Sequence, residues 1–168
     1  SVYGFEFLHE AYLYHVTRTD HRHNFSLYFY QLYLTQEGSA FLTGLAAFLP
    51  QVLLLLVLSY RFGNSRDVAL CLCCQTIIFV ALNKVYTVQY FVWYMALLPL
   101  AVARIQKNSD LLWIGGAMLS VLLAMGSWLG TAYFLEFEGK PVWLMLVAAS
   151  SLLFFSQLSL FCLLIIKQ

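Results

Sequence analysis

Val142-Trp143-Leu144-Met145-Leu146-Val147-Ala148-Ala149-Ser150-Ser151-Leu152-Leu153-Phe154-Phe155-Ser156-Gln157-Leu158-Ser159-Leu160-Phe161-Cys162-Leu163-Leu164-Ile165-Ile166 is 25 residues long and carries no charge. A helix rises about 1.5 Å per residue and the hydrocarbon core of a bilayer is about 30 Å thick, so about 20 apolar residues make a crossing. Ala40 to Tyr60 and Leu111 to Leu135 are equally free of charge. Val68 to Leu82 and Val88 to Ala103 are shorter, and the polar run Asn83-Lys84-Val85-Tyr86-Thr87 between them reads as the tip of a helical hairpin. The expected fold is therefore all-α: a polytopic transmembrane helix bundle with spans near 40–60, 68–82, 88–103, 111–135 and 142–166. Residues 1–39 form an interfacial loop and helix ahead of this single membrane domain. Pro50 and Pro99 fall inside spans and should kink them.

The composition agrees. Of 168 residues, 62% are hydrophobic and 10% charged, against about a quarter charged in ordinary globular chains. A net charge of +1 offers no long-range field to recruit nucleic acid. The chain starts at Ser1 without a charged n-region and apolar h-region, so no signal peptide is expected and the sequence reads as a piece of something longer. Cys71, Cys73, Cys74 and Cys162 all lie in apolar runs. They fit neither a disulfide framework nor a zinc ribbon and are expected to be buried free thiols.

Five crossings place residues 1–39, Lys84 and Lys140 on one side, and Arg61, Arg66, Arg104, Lys107 and Lys167 on the other. In short loops the second side is richer in basic residues, which predicts that it is cytosolic. Arg18 and Arg22 narrow the difference. Residues 1–39 are then expected to be luminal and the C-terminus cytosolic.

All four histidines and ten of the 29 aromatic residues lie within the first 39 positions, an arrangement suited to a platform at a membrane surface. His9-Glu10 begins like a zincin helix, but position 13 is Leu13, and His15 is about 240° round a helix from His9. Glu6, His9 and Glu10 do share a helix face, so metal binding competes there with local hydrogen bonding. If Thr17 to Asn24 is extended, Arg18, Asp20, Arg22 and Asn24 point one way and His21 and His23 the other. Two guanidiniums flanking a carboxylate make a net positive fork suited to phosphate, or else an interfacial ion-pair network with no ligand.

Asn24-Phe25-Ser26 matches the glycosylation sequon, although its aromatic surroundings argue against modification. In the hairpin, Lys84, Gln89 and the tyrosines need polar partners, met by a sugar or phosphate or by neighbouring helices. Glu136 and Glu138 can be read as paired catalytic carboxylates, a role that would need a convergent water site. Gly126 and Gly130, Gly115-Gly116 and Ala148-Ala149-Ser150-Ser151 mark thin helix faces expected to pack closely inside the bundle.

Several of these stretches together resemble a known family. They are Tyr3-Gly4-x-Glu6-Phe7-Leu8, Tyr14-His15-x-Thr17-Arg18-x-Asp20-x-Arg22-His23-Asn24-Phe25-Ser26-x-Tyr28-Phe29-Tyr30, Phe48-Leu49-Pro50-Gln51, Phe79-Val80, Asn83-Lys84-Val85, Gln89-Tyr90-Phe91-x-Trp93-Tyr94 and Glu136-Phe137-x-Gly139-Lys140. In this order they are similar to the catalytic subunits of glycosylphosphatidylinositol mannosyltransferase I. The resemblance implies a multi-pass endoplasmic reticulum enzyme of the GT-C class. Its donor is dolichyl-phosphate mannose and its acceptor glucosaminyl-phosphatidylinositol, to which it adds the first α-1,4-linked mannose during anchor synthesis. It also implies a small membrane-anchored stabilising subunit.

The family's catalytic Asp-x-Asp lies in its first luminal loop, whereas the aspartates here are Asp20, Asp67 and Asp110. The resemblance is thus to the C-terminal portion, with catalytic carboxylates expected upstream of residue 1 and no activity expected of this portion alone. No cofactor is implied with certainty, and dependence on a divalent cation stays open. Expected substrate-binding residues are Arg18, Asp20, Arg22, His23, Asn24 and Lys84, with Gln89, Tyr90 and Trp93 along the sugar or lipid path. A transporter or channel with a His- and Lys-lined path, or a non-catalytic membrane scaffold, is the competing reading.

Overall fold

A computed structural model describes residues 4–13, 23–34, 40–103 and 105–167. The described elements, in chain order, are α1 (Gly4–Leu8) running into a π-helical turn (His9–Leu13), α2 (Phe29–Leu34), α3 (Ala40–Phe62), α4 (Val68–Leu82), α5 (Tyr90–Val102), α6 (Asn108–Glu136) and α7 (Trp143–Ile166). No strand occurs among the described residues. The five charge-free runs each become one helix, and their bounds move by three residues at most. The helices carrying Pro50 and Pro99 run continuously through them.

α6 and α7 are long and apolar enough to cross a membrane, while α4, α5 and Phe48–Phe62 of α3 are shorter apolar helices. α6 buries Ile114, Ala117, Val121, Ala124, Trp128 and Ala132, a helical spacing that makes one stripe. The stripe packs against α7, which buries Leu146, Ala149, Leu153, Leu160 and Leu164. α4 sits at the centre, in contact with α3, α5 and α7. Its buried set of Leu70, Cys71, Cys73, Cys74, Ile77, Ile78, Val80 and Ala81 covers about half of its circumference, while Val68 and Leu72 stay exposed.

Polar side chains join the helices at specific points. Trp128 Nε1 donates to Ser150 Oγ at 3.0 Å, Ser120 and Ser156 hydroxyls meet at 2.9 Å, and Gln51 Nε2 donates to the Phe79 carbonyl at 2.8 Å. Each such bond is worth about 0.6 kcal/mol in a bilayer, so close packing carries most of the association and the bonds fix register. The chain turns from α6 into α7 at Gly139, whose φ of +64° a glycine adopts without strain. The Lys140 N–H then bonds the Phe134 carbonyl at 3.0 Å.

Two expectations about small residues need correcting. Gly115, Gly116, Gly126 and Gly130 are exposed on α6, and a Cβ at any of them would meet nothing within 4 Å. Close packing uses the Ala149-Ser150 part of α7 instead, because Trp128 and Ser150 need each other as hydrogen-bond partners. Cys71, Cys73 and Cys74 are buried free thiols as expected, but Cys162 is exposed on the outer side of α7.

Candidate functional site

Two loops meet at one end of the bundle, and Asn24 ties them together. Its Oδ1 accepts from the Ser26 N–H at 3.0 Å and the Tyr86 N–H at 3.2 Å, and its Nδ2 donates to the Lys84 carbonyl at 3.1 Å. The Ser26 hydroxyl reaches the same carbonyl at 2.6 Å, and the Phe25 N–H bonds the Tyr86 carbonyl at 3.0 Å. The hairpin tip between α4 and α5 therefore has its backbone satisfied by the loop before α2. Irregular backbone at membrane depth requires such a protein partner. Phe25 completes the clamp, with its ring stacked 3.9 Å from that of Trp128 and edge-on to Phe91 at 5.7 Å.

The clamp assigns roles that sequence reasoning had placed differently. Asn24 was expected to face substrate, yet it is fully buried and its amide bonds the loop backbone, so it holds structure rather than ligand. With Asn24 fully buried, the folded loop leaves no room for a glycan on its Nδ2. Lys84 is 6% exposed, and burial holds its ammonium below the usual 10.5. Burial likewise raises the Tyr86 and Tyr28 hydroxyls above 10.0.

Next to the clamp lies a cleft of about 480 Å³ walled by Phe29, Tyr33, Trp128, Trp143 and Leu146, with His23 and Glu136 at its lip. Tyr33 stacks on Trp143 with ring centres 4.3 Å apart. His23 has a φ of 53°, a left-handed conformation that histidine adopts more readily than most residues. The sharp turn sends Asn24 inward and leaves the imidazole exposed, its Nδ1 3.6 Å from Glu136 Oε1. Rings that form a wall, with a carboxylate and an imidazole at the opening, can bind a sugar by its apolar face and its hydroxyls or amine.

The other expected site residues do not join this cleft. Gln89 and Trp93 are exposed and Tyr90 half-buried at the start of α5, where Tyr90 and Trp93 rings lie 4.5 Å apart as a separate aromatic step. Arg18, Asp20 and Arg22 lie outside the described residues, as do His15, His21 and Arg104. Glu138 pairs with Lys140 at 2.5 Å rather than converging with Glu136. His9 Nδ1 bonds Glu10 at 2.9 Å, and among the described residues no group of three or more histidine, cysteine or acidic side chains could hold a metal ion. Sequence reasoning missed Tyr33 and Trp143. The signal was present in the aromatic enrichment of the first segment, but the pairing across 110 residues was not.

The described residues thus form an all-helical bundle that has two helices long and apolar enough to cross a membrane and an aromatic cleft at one end. The chain belongs to the mannosyltransferase family described as Mannosyltransferase (PIG-M), whose model matches residues 1–166. It is 44% identical to GPI mannosyltransferase 1 of Dictyostelium discoideum over 92% of this chain and 37% of that protein. Identity to the GPI alpha-1,4-mannosyltransferase I catalytic subunit of Danio rerio is also 44%, over 89% of this chain and 38% of the relative. The Saccharomyces cerevisiae GPI mannosyltransferase 1 is 42% identical over 92% of this chain and 40% of its own length. The chain thus spans about two fifths of the length of the curated relatives it matches. No solved structure matches it. The family resemblance read from the motifs is borne out, and the transporter and scaffold readings are not favoured.

Proposed function

We propose that this chain is the C-terminal portion of a GPI mannosyltransferase that transfers mannose from dolichyl-phosphate mannose to glucosaminyl-phosphatidylinositol. The observation that carries the proposal is the family match along residues 1–166. In this reading α3, α6 and α7 cross the endoplasmic reticulum membrane and the shorter α4–α5 hairpin completes the five crossings, with residues 1–39 luminal and the C-terminus cytosolic. The catalytic Asp-x-Asp comes from polypeptide outside these residues, and a small membrane subunit stabilises the whole.

Transfer from a phosphate-activated sugar needs a base or positioning carboxylate for the acceptor hydroxyl and cations for the departing phosphate. In this reading Arg18 and Arg22 supply the cations for the donor phosphate. Gln89, Tyr90 and Trp93 line the lipid path. Glu136 at the cleft lip would repel a phosphate, so the cleft takes the other substrate: its rings pack on the glucosamine and Glu136 pairs with the sugar's amine.

Expression of the full-length protein in cells lacking GPI mannosyltransferase 1 should restore GPI-anchored proteins at the cell surface, and failure at normal abundance would remove the functional reading. In microsomes from such cells, Glu136→Gln should raise KM for the acceptor about tenfold, the value of one charge-assisted contact. The donor KM should stay unchanged. Equal effects on both would place Glu136 elsewhere in the reaction.

A further inference from the structure

Behind the clamp, the interior of the bundle gathers three polar side chains from three segments. Tyr86 of the hairpin tip, Tyr94 of α5 and Gln157 of α7 are 1%, 0% and 0% exposed. The Tyr86 hydroxyl donates to Gln157 Oε1 at 3.4 Å, a long contact for an O–H donor. Phe91 stands edge-on to both tyrosine rings, at 5.9 and 6.0 Å, and the Tyr94 hydroxyl faces the same amide without the geometry of a hydrogen bond. Neither that hydroxyl nor Gln157 Nε2 has a hydrogen-bond partner among the described residues. Exchanging the amide's oxygen and nitrogen moves the unpaired atom and does not remove it.

Buried polar atoms of folded proteins are almost always paired. A buried spot ringed by two to four polar groups is where an internal water lodges. Depth sharpens the case. Gln157 stands fourteen residues beyond the first residue of the 24-residue α7, about 21 Å from the start of that helix by its rise. If α7 crosses a bilayer, neither bulk solvent nor lipid can satisfy an amide there. We infer that the bundle binds a single water molecule between Gln157, Tyr94 and Tyr86. Its oxygen accepts from Gln157 Nε2, and its hydrogens go to the two tyrosine oxygens. The hairpin tip is then held from two sides, by Asn24 through its backbone and by the water through the Tyr86 hydroxyl, which ties the loop carrying Lys84 to α7. The site is distinct from the cleft and requires only the packed bundle.

X-ray pulses split bound as well as bulk water into hydroxyl radicals, so a fully buried ring is oxidised only where water touches it. Peptide mass spectrometry of the pulsed full-length protein in detergent should find Tyr86 and Tyr94 oxidised, and after transfer into heavy-oxygen water the label should enter them slowly. Absence of oxidation at both tyrosines would overturn the site, and is the result that a direct bond between Tyr94 and Gln157 gives. Tyr94→Phe removes only the hydroxyl and should lower the melting temperature by about 2 °C, because the water loses a partner. A dry, unpaired hydroxyl gives the opposite sign, so an unchanged or raised melting temperature would also overturn the proposal. Mannose transfer is not the readout, and the proposed activity stands or falls on its own test.

Discussion

Asn24 makes more of the local structure than any other single side chain described here. Three bonds from one amide serve the Ser26 and Tyr86 N–H groups, which would otherwise be buried unpaired, and the Lys84 carbonyl, which the Ser26 hydroxyl also reaches. Asn24→Ala should therefore cost about 2–4 kcal/mol, more than the loss of one ordinary hydrogen bond, because it strands the Tyr86 N–H. Thermal unfolding in detergent would measure it. Lys84 offers a pH test at the same scale. Its ammonium is held below 10.5 by burial, so between that lowered value and 10.5 the unfolded chain binds more protons than the folded one. Stability should rise with pH through this window. Tyr86 and Tyr28 act in the opposite direction above 10.0, so the rise is best followed below pH 10. It should flatten in Lys84→Met.

At the scale of the helix, α6 shows what could and could not be read from the sequence. Its length and its buried stripe follow from the absence of charge and from helical periodicity. The glycines misled, because a small-xxx-small spacing says that two backbones could approach and not that they do. Gly126 and Gly130 face outward with space for a methyl group. Gly126→Ala and Gly130→Ala should thus each stabilise this chain by about 0.5–1 kcal/mol, since glycine is costly inside a helix. A fall in melting temperature would mean that another surface rests on this face. The cleft was less legible than the helices for a different reason. Its parts, His23 with Glu136 and Tyr33 with Trp143, are far apart in sequence, and hydropathy carries no information about which loops meet.

For the whole molecule, the two ends of the bundle differ in chemistry. One holds the clamp, the aromatic cleft and Glu136; the other holds Arg66, Lys107 and Lys167. The proposed orientation puts the first in the lumen. A Thr19→Cys variant in sealed microsomes should accordingly resist a membrane-impermeant maleimide until the vesicles are opened. Labelling of intact vesicles would invert the topology and separate the proposed donor-binding segment from luminal donor.

The bond between Asn24 and Lys84 also sets an order of events at the ribosome. The loop that opens the described bundle cannot lock until the polypeptide has been made some 60 residues further, past α3 and α4. In the proposed luminal orientation, Asn24-Phe25-Ser26 is until then an open acceptor for oligosaccharide, and afterwards it is sealed. Timely arrival of the hairpin tip therefore protects the loop chemically as well as holding it mechanically. A nascent chain that stalls before Lys84 would leave its sequon exposed.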